Sequence, residues 1–129
     1  MASSRFPGKP MVKIEGIPMI QRVWQQAISS NLGKVYVACA DKEVYDLIIE
    51  IGGNAILTDP NLSSGTDRIY SAFQQIDGLS EIEYIINLQG DMPLINSNDI
   101  KKVIEPLKYN YSIGTLVTNL KTEEYANPN

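Results

Sequence analysis

Lys34-Val35-Tyr36-Val37-Ala38-Cys39-Ala40 is a compact apolar run with the length and β-branched content of a strand covered on both faces. Asp41 then opens a helix whose buried side is supplied by Val44, Tyr45, Leu47, Ile48 and Ile51. Gly52-Gly53 ends that helix, and Ala55-Ile56-Leu57 gives a second short strand. The pattern repeats as a helix over residues 66–76, with Ile69, Ala72, Phe73 and Ile76 inward, followed by the apolar run Tyr84 to Leu88. Alternating strands and helices imply a parallel sheet, because parallel neighbours must be joined by a crossover and a helix is the usual one. The spacing predicts an α/β fold, with strands near 34–40, 54–57, 83–88 and 111–117.

Toward the N-terminus, Met19, Ile20, Val23, Trp24, Ala27 and Ile28 recur at helical spacing, with Gln21, Arg22, Gln25 and Gln26 opposite and a stop at Asn31 to Gly33. Trp24 belongs to the apolar stripe and reads as a core residue. Met11 to Gly16 reads as an extended piece closed by a Glu15-Gly16 turn. Toward the C-terminus, Asn96 to Leu107 reads as a helix opened by Asn96 or Ser97, with Asp99 near its positive end, and interrupted by Pro106. Thr122 begins a further helical start with Glu123 and Glu124 in its first turn. No linker composition or repeat divides the chain, so residues 1–129 are read as one domain.

Composition narrows the chemistry. With 43% hydrophobic and 20% charged residues the chain has the make-up of an ordinary globular domain. A net charge of -4 argues against nucleic acid as a partner, since non-specific binding relies on an extended basic face. Cys39 is the single cysteine and there is no histidine, which excludes disulfide frameworks, Cys/His zinc sites and His-based triads within this chain. Any metal must be held by oxygen, which favours magnesium bound through one or two carboxylates and the phosphates of a substrate. No apolar run reaches membrane-spanning length and the opening has no signal-peptide core, so the expectation is a cytoplasmic protein with no membrane partner.

Ser3-Ser4-Arg5-Phe6-Pro7-Gly8-Lys9-Pro10 places two cations four positions apart in a segment whose prolines and glycine forbid a regular helix. It suits a loop that grips phosphate, with Gly8 allowing close backbone approach and Arg5 and Lys9 neutralising charge; it equally suits a solvated basic terminus. In an open α/β sheet, ligands lie beyond the carboxyl ends of the strands, and Gln89-Gly90-Asp91 directly follows the run Tyr84 to Leu88. Asp91 there either holds magnesium against the phosphate oxygens of a substrate or begins a turn with Gly90 and Pro93. Ser63 to Arg68 joins a polar loop to a helix start, where Arg68 can reach an anion or a base carbonyl and where Ser64 or Thr66 can equally be a plain cap. Arg22 is a weaker anion candidate because it belongs to the amphipathic helix.

The order Arg, apolar, Pro, Gly, Lys, Pro at residues 5–10 resembles the nucleotide-binding signature of the 3-deoxy-manno-octulosonate cytidylyltransferases, the CMP-Kdo synthetases of lipopolysaccharide synthesis. Ser63-Ser64-Gly65-Thr66-Asp67-Arg68, Asn87-Leu88-Gln89-Gly90-Asp91-Met92-Pro93-Leu94-Ile95 and Asn127-Pro128-Asn129 follow in the same order as in that family. The resemblance implies a Rossmann-like three-layer α/β/α nucleotidyltransferase fold with a mainly parallel sheet, here incomplete. It also implies attack by the anomeric hydroxyl of Kdo on the α-phosphate of CTP, with pyrophosphate released and no protein nucleophile. By the same resemblance Arg5 and Lys9 act on the triphosphate as the catalytic pair, while Ser64, Gly65 and Arg68 surround the cytidine. Gln89 is then a polar residue of the substrate site, Asp91 a ligand to Mg2+, and the protein a homodimer.

Several positions depart from the family. Cys39-Ala40 stands where Thr-Asp is usual, with Asp41 as a substitute, and Met92 stands where a glutamate usually follows Gln-Gly-Asp. The family's first hydrophobic strand precedes the residue matching Met1, and its second metal-binding aspartate, most Kdo contacts and dimer interface follow the Asn-Pro-Asn block. These departures raise two other readings: a catalytically inert nucleotide-binding fragment, and a regulatory domain with the same sheet but no transfer chemistry. Without that first strand, unpaired apolar surface, low stability and a tendency to aggregate are expected.

Overall fold

The computed structural model describes residues 8–117. Arg5, the start of the opening loop, the helical start at Thr122 and the Asn-Pro-Asn block lie outside these residues.

The first element is a hairpin. β1 (Lys13–Ile14) pairs antiparallel with β2 (Ile17–Pro18), Lys13 opposite Pro18 and Ile14 opposite Ile17. Its turn residues Glu15 and Gly16 both have positive φ, 50° and 81°, as the tight hairpin turn of matching twist demands. α1 (Met19–Ser30) follows at once and ends in the left-handed Asn31. Arg22 is used within this assembly: Nε and Nη2 donate to the Ile14 carbonyl at 3.0 and 2.6 Å, and Nη2 pairs with Glu15. That accounts for its cation, which fastens the helix to the hairpin.

β3 (Tyr36–Cys39), α2 (Lys42–Glu50) and β4 (Asn54–Leu57) form the strand–helix–strand unit that the spacing predicts. β3 and β4 are parallel, in register from Tyr36 opposite Asn54 to Cys39 opposite Leu57. α2 stops sharply because Gly52 takes φ 84°, and the amides of Gly52 and Gly53 close on the carbonyls of Ile49 and Ile48. Gly53 is also a close approach: a Cβ there would meet Ile48 Cγ2 at 2.8 Å and Trp24 Nε1 at 2.9 Å. Ile20, Cys39, Val44 and Ile48 are the buried centre, with Trp24, Val37, Tyr45 and Leu47 packed against it.

α3 (Gly65–Phe73) packs on β3, and α4 (Ser97–Lys102) packs on α1. The Asn96 side chain caps α4 by accepting from the amides of Asn98 and Asp99, and Gln26 of α1 accepts from the amide of Ser97 at 3.0 Å. The helix expected over residues 96–107 ends at Lys102 and resumes as a 3-10 turn, Glu105–Tyr109, with Pro106 in its first turn. Proline has no amide to donate, so the break falls where the sequence puts it.

The strands expected near 83–88 and 111–117 are not formed. Neither segment is helical and neither makes ladder hydrogen bonds, so among the described residues the parallel sheet is β3 and β4 alone. A strand exists only through a partner, and β3 is paired on one side only, by β4. The two unpaired segments instead line a cavity of about 510 Å³ whose far wall includes Ile100, Val103, Ile104 and Leu107. The fold is thus α/β, with a parallel pair and flanking helices. No helix of the described residues is long and apolar enough to cross a membrane.

Candidate functional site

Lys9 stands at the start of a 3-10 turn, Lys9–Met11, which Gly8 enters in the left-handed conformation at φ 79° and which Pro10 stiffens. Its Nζ lies 2.9 Å from Asp91 Oδ2, with the two side chains 41% and 53% exposed. The candidate phosphate cation and the candidate metal carboxylate, 82 positions apart, therefore meet as an ion pair. A Cβ on the neighbouring Gly90 would come within 3.0 Å of Ile20 Cδ1, so the backbone beside Asp91 passes close to the start of α1.

Gln89, two residues earlier, points to α3. A Cβ on Gly65 would sit 3.3 Å from Gln89 Oε1 and 3.6 Å from Nε2, and Nε2 donates to Asn87 Oδ1 at 2.9 Å. Gly65 is thus the residue whose missing side chain leaves room for the Gln89 amide. Ser64 is the cap of α3: its hydroxyl accepts from the amide of Asp67 at 3.1 Å and donates to Asp67 Oδ2 at 2.7 Å, where the Ser63 hydroxyl also donates. These two serine bonds, Ser64 first, hold the Asp67 carboxyl below the usual carboxylate range. The plain-cap alternative for Ser64 therefore describes its hydroxyl, which is engaged in the helix start.

Arg68 lies one turn into α3 and reaches back to the strand ends. Nη1 donates to Thr58 Oγ1 at 2.6 Å and to the Asp59 carbonyl at 3.2 Å. Thr58 is 8% exposed, and both its amide and its hydroxyl donate to the Cys39 carbonyl, at 2.9 and 3.1 Å. The carboxyl ends of β3 and β4 are clamped by one residue, which also receives the arginine. The Cys39 thiol beneath is pushed up to about 11, by burial first and by Asp41 second, against the opposing charge of Arg68, so it is an inert core group at neutral pH.

Two contacts, Lys9 to Asp91 and Gly65 to Gln89, bring four of the candidate residues together across the loop 89–91; the Ser64 hydroxyl is spent on Asp67, and Arg68 is bonded to Thr58 and Asp59 instead. Thr58 escaped the sequence reading. Its signal is its position, directly after the apolar run of β4, where an open sheet places its crevice. The cavity is a different place: of the described candidate residues it shares only Gln89. Among the described residues no three Cys, Asp or Glu side chains gather into a metal cage. The donor set is one carboxylate, which fits an ion completed by the oxygens of a bound triphosphate.

The family model described as cytidylyltransferase matches residues 1–129. A 3-deoxy-manno-octulosonate cytidylyltransferase of Paramagnetospirillum magneticum is 40% identical over 131 aligned residues, covering 100% of this chain and 53% of the relative. The enzyme of the same description from Parvibaculum lavamentivorans is 43% identical over 131 residues, covering 100% and 51%. Among solved structures, CMP:2-keto-3-deoxy-manno-octonic acid synthetase complexed with CTP superposes with a TM-score of 0.75 at 37% identity, over 84% of this chain and 44% of that one. The chain spans about half the length of the curated relatives it matches.

Proposed function

Because the chain belongs to the cytidylyltransferase family, we propose that it serves the activation of Kdo, converting CTP and Kdo to CMP-Kdo and pyrophosphate for lipopolysaccharide synthesis. The anomeric oxygen of Kdo bonds to the α-phosphorus of CTP. The bond from that phosphorus to the α–β bridging oxygen breaks, pyrophosphate leaves with the electron pair, and the hydroxyl proton passes to water. The chain's own residues position and neutralise. Lys9, with Arg5, holds triphosphate oxygens; Arg68 offers its guanidinium to the nucleotide; Gly65 and the backbone of Ser64 shape the space beside Gln89. Asp91 would hold magnesium, which when bound draws charge from the phosphate oxygens. Lys9 must leave Asp91 for phosphate, so the ion pair describes the ligand-free site. A nucleoside triphosphate substrate suits the cytoplasm, and a homodimer is the assembly proposed.

The observation that carries this reading is the Lys9–Asp91 contact, which supports one site built from two distant motifs. The test is pyrophosphate release by residues 1–129 with CTP, Kdo and magnesium, expected to fall about a hundredfold in Lys9→Met and in Asp91→Asn. A second reading of the same residues is nucleotide binding without transfer. CTP binding with no pyrophosphate release would select that reading, and absence of CTP binding would reject both.

A further inference from the structure

The geometry points to Thr58 as the residue that positions Arg68 for an anionic ligand. Both hydrogen bonds that Arg68 makes to the strand ends leave from Nη1, one to the Thr58 hydroxyl at 2.6 Å and one to the Asp59 carbonyl at 3.2 Å. The opposite edge of the guanidinium, Nε with Nη2, is the one shaped for a side-on, two-pronged bond to an oxyanion. Tethering Nη1 fixes the plane of the fork before any ligand arrives, so the ligand does not have to order a long side chain. Thr58 suits the task because it is itself immobile. It is a buried polar residue, its hydroxyl donates to the Cys39 carbonyl, and its amide holds the same carbonyl independently at 2.9 Å. Removing the hydroxyl therefore leaves the strand-end clamp in place and strips Arg68 of its shorter tether, leaving the longer bond to the Asp59 carbonyl.

The ligand class is a nucleoside triphosphate, and in that respect the inference rests on the proposed cytidylyltransferase reading; the tether itself does not. The test uses the full chain and has two arms. The chain has three arginines, so 15N relaxation resolves the Arg68 Nε–H without ligand. The expected result is a rigid Nε–H in the unsubstituted protein and in Thr58→Ser, and a mobile one in Thr58→Val. A mobile Arg68 in the unsubstituted protein, or one equally rigid in Thr58→Val, overturns the inference, and the first of these needs no variant to fold. The second arm measures CTP affinity. Thr58→Val should weaken it about fivefold, Thr58→Ser should restore it, and Thr58→Val should add less than about twofold in an Arg68→Met background. Equal losses in both backgrounds would mean that Thr58 acts on the fold and not through Arg68. If the unsubstituted chain binds no CTP, the functional reading fails while the relaxation arm still decides the tether.

Discussion

Val35 to Cys39 and Tyr84 to Leu88 are apolar runs of equal length, and the second leads straight into the candidate residues Gln89 and Asp91, yet only the first is built into a sheet. β3 has β4 beside it and α2 and α3 against it. Residues 84–88 have no ladder, and Tyr84 and Ile85 are more than half exposed. The same division runs through the side chains: among the described residues only Ile100 of the buried apolar ones lies beyond Ala72, whereas Leu94, Ile113 and Val117 are 85% exposed or more. Apolar composition makes a strand possible, and only a partner makes it real.

Hydrogen exchange tests that comparison most severely. The β3 and β4 amides should exchange about a hundredfold or more slower than those of residues 84–88, since ladder bonds open only with larger unfolding. Equal protection would break the comparison by showing that 84–88 pairs in solution. Next in size, Ile48→Ala should cost about 2–5 kcal/mol in a urea melt, because Ile48 is 0% exposed at the centre of the core, while Ile113→Ala at 85% exposure should change stability by less than about 0.5 kcal/mol. A comparable loss at Ile113 would mean that the open region is packed by something in solution. Gly53→Ala should cost about 1–3 kcal/mol by pressing a methyl onto Ile48 and Trp24, two residues with little room to give.

Much of the packed region is legible in the chain itself. Gly52-Gly53 announces the end of α2 because a left-handed residue must follow it, Glu15-Gly16 announces a turn, and Pro106 announces a break. What was not legible depended on distant partners. Nothing in Tyr84 to Leu88 says whether a neighbouring strand is present, and Arg22 does not reveal that its guanidinium faces a carbonyl of the hairpin. In the candidate site, Lys9 and Asp91 were named from their motifs, but their pairing across 82 positions is a product of folding. Thr58 was missed because a lone threonine after a strand has no motif; its role comes from the arginine that reaches it.

The smallest expected effect lies at the start of α3, on the border between the two regions, and its sign is fixed by the serines around Asp67. Ser64 and then Ser63 donate to its carboxylate, and Ser64 caps its amide in return, so the charged form is favoured in the folded chain. A carboxyl depressed by folding adds stability that is present above its unfolded value, about 3.9, and lost as pH falls through the lower folded value. Acidification should therefore loosen the first turn of α3. Because Asp67 is exposed, the loss should stay local and leave β3 and β4 intact. A carboxyl-detected NMR titration reads this directly: the Asp67 carboxyl should titrate below the free side chain, and its amide, bonded to Ser64, should shift in step. In Ser64→Ala the carboxyl should move back toward the ordinary value and the helix should lose about 1 kcal/mol with its cap. An Asp67 that titrates at or above the ordinary value would show that the Ser63–Ser64 contacts do not persist in solution. The border would then belong with the open region, and the loop beside Gln89 would lack a fixed wall.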